Sequence, residues 1–170
     1  MYDVFQEAEK QLKLKNPFVI STVIKTKGST PQKPGAKLLV SSSGDGTGTL
    51  GGGCVEGDIW FESEELIKNN GSAFYRDYIL NEDLAANDGL VCGGTMYFLL
   101  DPLDQSSISS KYVSEINNAY TGGPAVLVAT LIKPSIDNNL PIGSKLFIRE
   151  DGTSDGTLGS LEADSLAVIK

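Results

Sequence analysis

No histidine occurs among the 170 residues, so chemistry that turns on an imidazole has no place within this chain. Ser-His-Asp and Cys-His hydrolysis, HExxH metalloproteases and histidine-rich zinc centres are excluded together. Cysteine is nearly as scarce. Cys54 and Cys92 are too few for a disulfide scaffold and fall short of the four N/S ligands of a structural zinc site. Cations are outnumbered, 14 Lys and Arg against 22 Asp and Glu, for a net charge of −8. That balance argues against sequence-independent nucleic-acid binding, which needs an excess of Lys and Arg to neutralise phosphates. Long apolar runs are missing too: no stretch approaches the ~20 residues that span a bilayer. The N-terminus, MYDVFQEAEKQLKLK, is a charged amphipathic stretch rather than a basic region followed by an apolar one. The expectation is a cytoplasmic protein with reduced thiols and no membrane or nucleic-acid partner.

What is present is an ordinary apolar fraction of 40% in a chain about one domain long. Val4, Phe5, Ala8 and Leu12 fall at helical spacing, so residues 2–14 read as an amphipathic helix closed before Pro17. The β-branched run 18–24 predicts a buried strand, and KTKGSTPQKPGAK, with two prolines and two glycines, a loop. Residues 37–42 and 47–51 flank an Asp45-Gly46 hairpin signal. A helix over 55–68, strands over 74–80 and 95–100, a loop over 81–92 and a helix near 107–119 complete the reading.

Shifting the chain by 108 residues lays 18–51 over 126–159 without a gap, with 11 of 34 positions identical. The predicted fold is therefore α/β, a mixed β-sheet with flanking helices, built from an internal strand–loop–hairpin duplication. Both copies serve one core, so residues 1–170 read as a single domain. The duplication also separates scaffold from site, because glycines kept in both copies answer to a shared backbone. GTGTLG at 46–51 formally matches the dinucleotide fingerprint GxGxxG. Its Gly48-Thr49-Leu50-Gly51 core recurs as Gly156-Thr157-Leu158-Gly159, with Ser154 in place of the first glycine. A hairpin strand explains both occurrences, whereas a phosphate turn explains one.

Beyond Gly51 the copies diverge. The first continues Gly52-Gly53-Cys54-Val55-Glu56, while the second reads SLEAD. Only the first has TKGSTPQKPG, where the second has PSIDNNLPIG. A site is therefore expected in the first copy. Glycines let a ligand approach the backbone, and a helix starting near Val55 aims N–H groups at it. Cys54 at that helix start sits where a thiolate is favoured. Cys92, bounded by Gly93-Gly94, repeats the association of thiol and glycine pair. Charge is skewed the same way: residues 1–53 carry a local +3 and the remainder −11. Lys27, Lys33 and Lys37 in that basic segment are candidates to attract an anionic ligand. Two other readings stand beside this one. Cys54 and Cys92 could form a redox or sulfur-transfer pair, or both could be inert cysteines buried in a protein-binding module. Glu56, Asp58 and Asp88 as a metal-hydrolase set are better explained as solvating a helix start and a loop.

GSTPQKPGAKLLV, GTLGGGCVEGDI and GLVCGGTMYFLLDP, in that order, resemble the XdhC/CoxI family. The resemblance covers roughly residues 16–102 and marks Gly51, Gly52, Gly53, Cys54, Glu56, Cys92, Gly93 and Gly94 as motif positions. It implies a maturation chaperone rather than an enzyme. Such a protein binds the molybdopterin form of the molybdenum cofactor, protects it, and assists its sulfuration with a cysteine desulfurase. It then hands the cofactor to an apo molybdenum hydroxylase of the xanthine or carbon monoxide dehydrogenase type. Lys33 or Lys37 with the glycine backbone suits the cofactor's phosphate, and thiolates suit its soft metal centre. Many family members continue into a C-terminal Rossmann-like domain, which this chain lacks, leaving room for a homodimer.

Overall fold

The computed structural model describes residues 2–80, 93–103, 107–133 and 139–168. Helix α1 (Tyr2–Leu14) buries Val4, Phe5, Ala8 and Leu12 on one face. Lys15 ends it in the left-handed conformation (φ 59°), with the Lys15 and Asn16 amides returning to the Leu12 and Gln11 carbonyls. That is a Schellman cap with lysine in the position glycine usually takes.

The chain continues through β1 (Phe18–Lys27), β2 (Lys37–Ser41), β3 (Gly46–Gly48), α2 (Gly53–Lys68), β4 (Phe74–Ile79) and β5 (Thr95–Leu103). Then come α3 (Ser107–Tyr120), β6 (Val126–Thr130), β7 (Lys145–Arg149), β8 (Ser154–Gly156) and α4 (Leu161–Val168). The strands form a five-stranded sheet ordered β3-β2-β1-β5-β4 and a three-stranded sheet ordered β6-β7-β8. The expected single mixed sheet is thus two sheets, and all their pairings are antiparallel. β1 also runs past its apolar stretch. Its polar end, Lys25 to Lys27, stays in the ladder because β5 pairs with it beyond a bulge between Val23 and Lys25.

Both faces of the larger sheet are covered. Val19, Val23, Leu38, Val40, Met96, Phe98 and Leu100 pack with Val55 and Ile59 of α2. On the opposite face Phe18, Ile20 and Leu39 meet α1, and the same cluster takes in Tyr112 and Val113 of α3 and Phe147 of β7. Burial of this order, about 25 cal/mol per Å² of apolar surface, dominates the stability of such a layer.

The duplication is visible in the structure and extends beyond the sequence match. β1-β2-β3 and β6-β7-β8 share one register: Phe18 pairs with Ser41 and Leu38 with Gly48, as Val126 pairs with Arg149 and Leu146 with Gly156. The helices repeat as well, α1 with α3 and α2 with α4. Val4, Phe5 and Ala8 have Tyr112, Val113 and Ile116 as their equivalents; five of these form one core cluster and the half-buried Ile116 packs against it. Asn117 donates to Glu9, its own equivalent in the first copy, at 3.1 Å, so the two halves meet at matching positions of α1 and α3.

Candidate functional site

Gly51, Gly52 and Gly53 all hold positive φ (111°, 73° and 67°), a run that only glycine adopts without strain. A Cβ on Gly51 would strike Pro31 at 2.6 Å, whereas one on Gly52 or Gly53 would meet nothing within 4 Å. The first glycine is therefore fixed by the 28–34 loop packed on it. The next two are fixed by backbone conformation alone and border open space. α2 starts directly after them with Gly52 as N-cap and no side-chain hydrogen bond at the cap. Gly53 and Cys54, which open the helix, are both exposed.

The glycine pair after Cys92 arrives at the same loop. A Cβ on Gly94 would lie 2.2 Å from the Ser29 carbonyl and 2.8 Å from that of Lys27, and one on Gly28 would lie 3.2 Å from Gly94. Gly94 accepts from the Leu80 amide at 2.9 Å. The 28–34 loop is thus clamped between Gly51 on one side and Gly93-Gly94 on the other, so the three motif segments converge. Cys92 and the 81–92 loop lie outside the described residues.

Glu56 has a structural duty here. Its carboxylate accepts from the Thr49 hydroxyl (2.7 Å), the Leu50 amide (2.6 Å) and the Gly52 amide (3.2 Å), pinning the glycine turn to the helix. Burial opposes the charge, but these bonds outweigh it and hold the carboxyl below its usual range. Asp164, at the equivalent position, accepts from the Thr157 hydroxyl (2.8 Å) and the Leu158 amide (2.6 Å). Glu56 therefore belongs to the shared scaffold. Aligning Glu56 with Asp164 at the same 108-residue offset would have shown this from sequence.

Gly48 is scaffold for the same reason. A Cβ there would lie 2.3 Å from the Lys37 carbonyl, and a Cβ on Gly156 2.3 Å from the Lys145 carbonyl. Close strand approach, not phosphate binding, accounts for the fingerprint-like glycines.

The two lysines part company. Lys33 is exposed on the loop that carries Pro31. Lys37 turns to the other face of the sheet, donates to Thr22 Oγ1 at 2.8 Å and lies over the Phe5 ring. It is not brought to the glycine turn, because odd-numbered residues of β2 face α1. Burial pulls its ammonium down to about 8 despite the nearby Asp101 carboxylate. Its equivalent, Lys145, is buried and bonds Asp101 and the Gly143 carbonyl. Burial raises the Asp101 carboxyl above its usual range, with Lys145 opposing. This pair walls a cleft of about 640 Å³ between the repeats, lined also by Phe18, Leu66 and Ser109. None of the glycine-turn residues reaches that cleft.

Tyr78 carried no role in the sequence reading, and Asp58 only that of solvating the helix start. Tyr78 donates to Asp58 Oδ2 at 2.8 Å, and burial, that bond and the proximity of Asp58 and Cys54 push its phenol up to about 12. Asp58 lies one turn beyond Cys54 on α2, so β4 and α2 join beside the thiol. A tyrosine whose partner lies on another element has no signature at sequence level.

The class of protein is now defined: a duplicated α/β fold with an uncapped, glycine-lipped helix start in one repeat only. Residues 11–78 match the model of the XdhC and CoxI family. It is 31% identical over 94 residues to the uncharacterized protein YqeB of Escherichia coli K12, covering 55% of this chain and 17% of that protein. It is 26% identical over 135 residues to a protein of Bacillus subtilis 168 described as a probable subunit of xanthine dehydrogenase, covering 79% and 38% respectively. The chain thus spans less than half the length of these curated relatives. A crystal structure titled as a xanthine dehydrogenase from Bacillus halodurans shares the fold, with a TM-score of 0.66 over 91% of this chain and 44% of that one, at 24% identity. No helix among the described residues is long and apolar enough to cross a membrane.

Proposed function

We propose that this chain acts in the maturation of a xanthine dehydrogenase-type molybdenum hydroxylase, holding molybdenum cofactor as cargo at the start of α2. The observation that carries the reading is the difference between the two helix starts. In the second repeat Ser160 caps α4, its hydroxyl accepting from the Ala163 amide at 3.2 Å. In the first repeat glycine stands there and no side chain caps the helix. Keeping the turn while removing the cap leaves N–H groups for an anion, and the open space over Gly52 and Gly53 admits one.

The cargo's chemistry fits these residues. Its phosphate suits the α2 amides with Lys33 on the neighbouring loop, and its dithiolene-held molybdenum suits a thiolate from Cys54 or Cys92. Gly94 lets its own backbone lie close to the 28–34 loop. The exposure of Cys54 favours this reading over a module with inert buried thiols. On this reading a cysteine desulfurase would take part in sulfuration, and the apo-hydroxylase would receive the cofactor.

Co-elution of the purified protein with anaerobically released molybdenum cofactor, followed by pterin fluorescence, tests the proposal. The expected result is retention by the wild type and loss in Cys54→Ala, Cys92→Ala or both. A folded wild type that retains no pterin overturns it. Retention unaffected by either substitution removes the thiols from the site. A Cys54–Cys92 disulfide formed during turnover would instead favour the redox or sulfur-transfer reading.

A further inference from the structure

The cleft of about 640 Å³ between the repeats lies apart from the glycine turn and is built around a buried charge pair. Asp101 and Lys145 form its floor, with side chains 11% and 5% exposed. The fold itself does not require this pair. Asp101 stands between Leu99 and Leu103 on one face of β5, opposite Ile20, where a further leucine would pack. Replacing a buried ion pair by apolar residues of similar volume is often neutral or stabilising. In the first repeat the equivalent lysine, Lys37, bonds Thr22 instead of a carboxylate. β5, which supplies Asp101, has no counterpart among the described strands of the second repeat. Asp101 is thus a feature present in one copy only.

The hydrogen-bonding capacity left in the cleft is one-sided. Lys145 occupies Asp101 Oδ2, bonds the Gly143 carbonyl at 2.8 Å and lies 5.2 Å from the Tyr112 ring centroid. Ser144 and Thr157, also on the lining, donate to the Pro141 carbonyl and to Asp164, each at 2.8 Å. These donors are committed within the protein, whereas no described group donates to Asp101 Oδ1. The inner end therefore offers an acceptor to a ligand group that donates. Leu66, Leu103 and Ile142 give the cleft an apolar wall.

The rim is of another kind. Lys15 and Asn70 line it and are exposed. They are also the only non-glycine residues with positive φ among those described, at 59° and 47°. Asparagine tolerates that conformation; lysine does not. Glycine would close α1 with the same Schellman cap and no strain. With lysine the strained position carries an ammonium, and no described acid pairs with it. Strained non-glycine backbone gathers where ligands are held.

We propose that this cleft binds a small molecule composed of a nitrogen donor, an apolar body and an anionic group. The donor bonds Asp101 Oδ1, the body lies along Leu66, Leu103 and Ile142, and the anion meets Lys15 at the rim. The volume falls within the range of small-molecule pockets, about 300–1,000 Å³, which likewise combine apolar walls with a few convergent polar groups.

Titration of the 170-residue protein with para-(aminomethyl)benzoate, followed by saturation-transfer NMR, tests this, and saturable binding is expected. para-Methylbenzoate, which lacks the amine, should bind about tenfold more weakly, and Asp101→Asn should weaken the full probe as much, the usual weight of a hydrogen bond to a charged group. Benzylamine, which lacks the carboxylate, and Lys15→Ala should each cost about threefold, as suits a pair at the solvent edge. If Asp101→Asn does not fold, Ile142→Trp replaces it. That change fills the cleft from a half-buried position, leaves the ion pair intact and should abolish binding. A folded wild type that binds none of the probes saturably overturns the proposal. So does binding that neither loss of the amine nor the Asp101 or Ile142 variant weakens. Benzylamine held as tightly as the full probe overturns the anionic end of the assignment. The probes contain no pterin, so each outcome is independent of whether the protein retains molybdenum cofactor.

Discussion

At the start of α2 a glycine leaves the helix uncapped, and at the matching start of α4 a serine hydroxyl closes it. Just upstream, the two repeats are almost interchangeable. Each holds its hairpin glycine against the same lysine carbonyl, and each pins its turn with one carboxylate six residues beyond the buried leucine. A duplicated backbone thus acts as its own control. Features present twice are what the fold requires, and features present once are free to serve a ligand. The same comparison applies to the edges. The first repeat pairs its β1 edge with β5, while no described strand pairs with the outer edge of β6.

The scaffold half of this comparison predicts the largest effects. Gly48→Ala and Gly156→Ala each force a Cβ to 2.3 Å from a strand carbonyl at φ 96° and 85°. Each should cost about 3 kcal/mol in denaturant unfolding, the combined effect of backbone strain and steric overlap. A harmless Gly156→Ala would mean that the second hairpin is not built as the first is. Next come the clamps. Glu56→Ala leaves the amide of fully buried Leu50 without its acceptor and should cost about 2 kcal/mol, with Asp164→Ala somewhat less at its more exposed turn. Glu56 also makes a prediction for acid. Its folded carboxyl lies below the ordinary 4.5, so its contribution is complete above that pH and is lost as pH falls through the lower folded value. Wild type minus Glu56→Gln stability, measured from pH 6 downward, should shrink accordingly.

Lys37 and Lys145 sharpen the comparison in another way, because equivalent lysines received different partners. Lys145 is matched by Asp101, but Lys37 has Thr22 and the edge of that pair's field. With its folded pKa near 8 against an ordinary 10.5, the unfolded chain binds more protons between those values. Stability therefore rises with pH across that window. Lys37→Met should raise stability at pH 7 by about 1 kcal/mol, and its advantage over wild type should fade toward pH 10. Thermal melts of both proteins from pH 7 to 10 measure this. An advantage that stays constant would place the Lys37 ammonium in water rather than against Phe5.

Much of this was legible in the residues. Apolar spacing located α1 and α2, Asp45-Gly46 located the first hairpin, and the 108-residue offset located the duplication. The offset also singled out the one-sided glycine pair, and the described parts of the three motif segments meet at the 28–34 loop. What escaped was set by pairing between distant segments. Nothing local says that Lys25 to Lys27 remain in a strand, because the reason lies in β5. Lys37 looked like a ligand for an anion because charge carries no direction in a sequence; the alternation of β2 sends it to α1. The separation into two sheets was hidden as well, since it depends on β5 pairing with β1 and on nothing pairing with β6 among the described strands. The α4 helix was missed because SLEADSLAV has too little apolar spacing to announce itself, and it forms on the strength of its cap and clamp.

The smallest expected effect bears most directly on the site. Ser160→Ala removes the α4 cap and should cost about 1 kcal/mol, while Ser160→Gly, which reproduces the first repeat, should cost only a few tenths. Neither should change pterin retention, because the second repeat has neither the thiol nor the glycine pair that follow Gly51 in the first. The reverse exchange behaves differently. Gly52→Ser places a side chain where φ is 73° and ψ −171°, a conformation that belongs almost wholly to glycine. It should cost about 1–3 kcal/mol and also set a hydroxyl over the amides left for the anion. Loss of pterin in Gly52→Ser at a temperature where it remains folded, with full retention in Ser160→Gly, would tie the ligand to the uncapped helix. Equal retention in both would show that the missing cap is a consequence of the turn and has no part in binding.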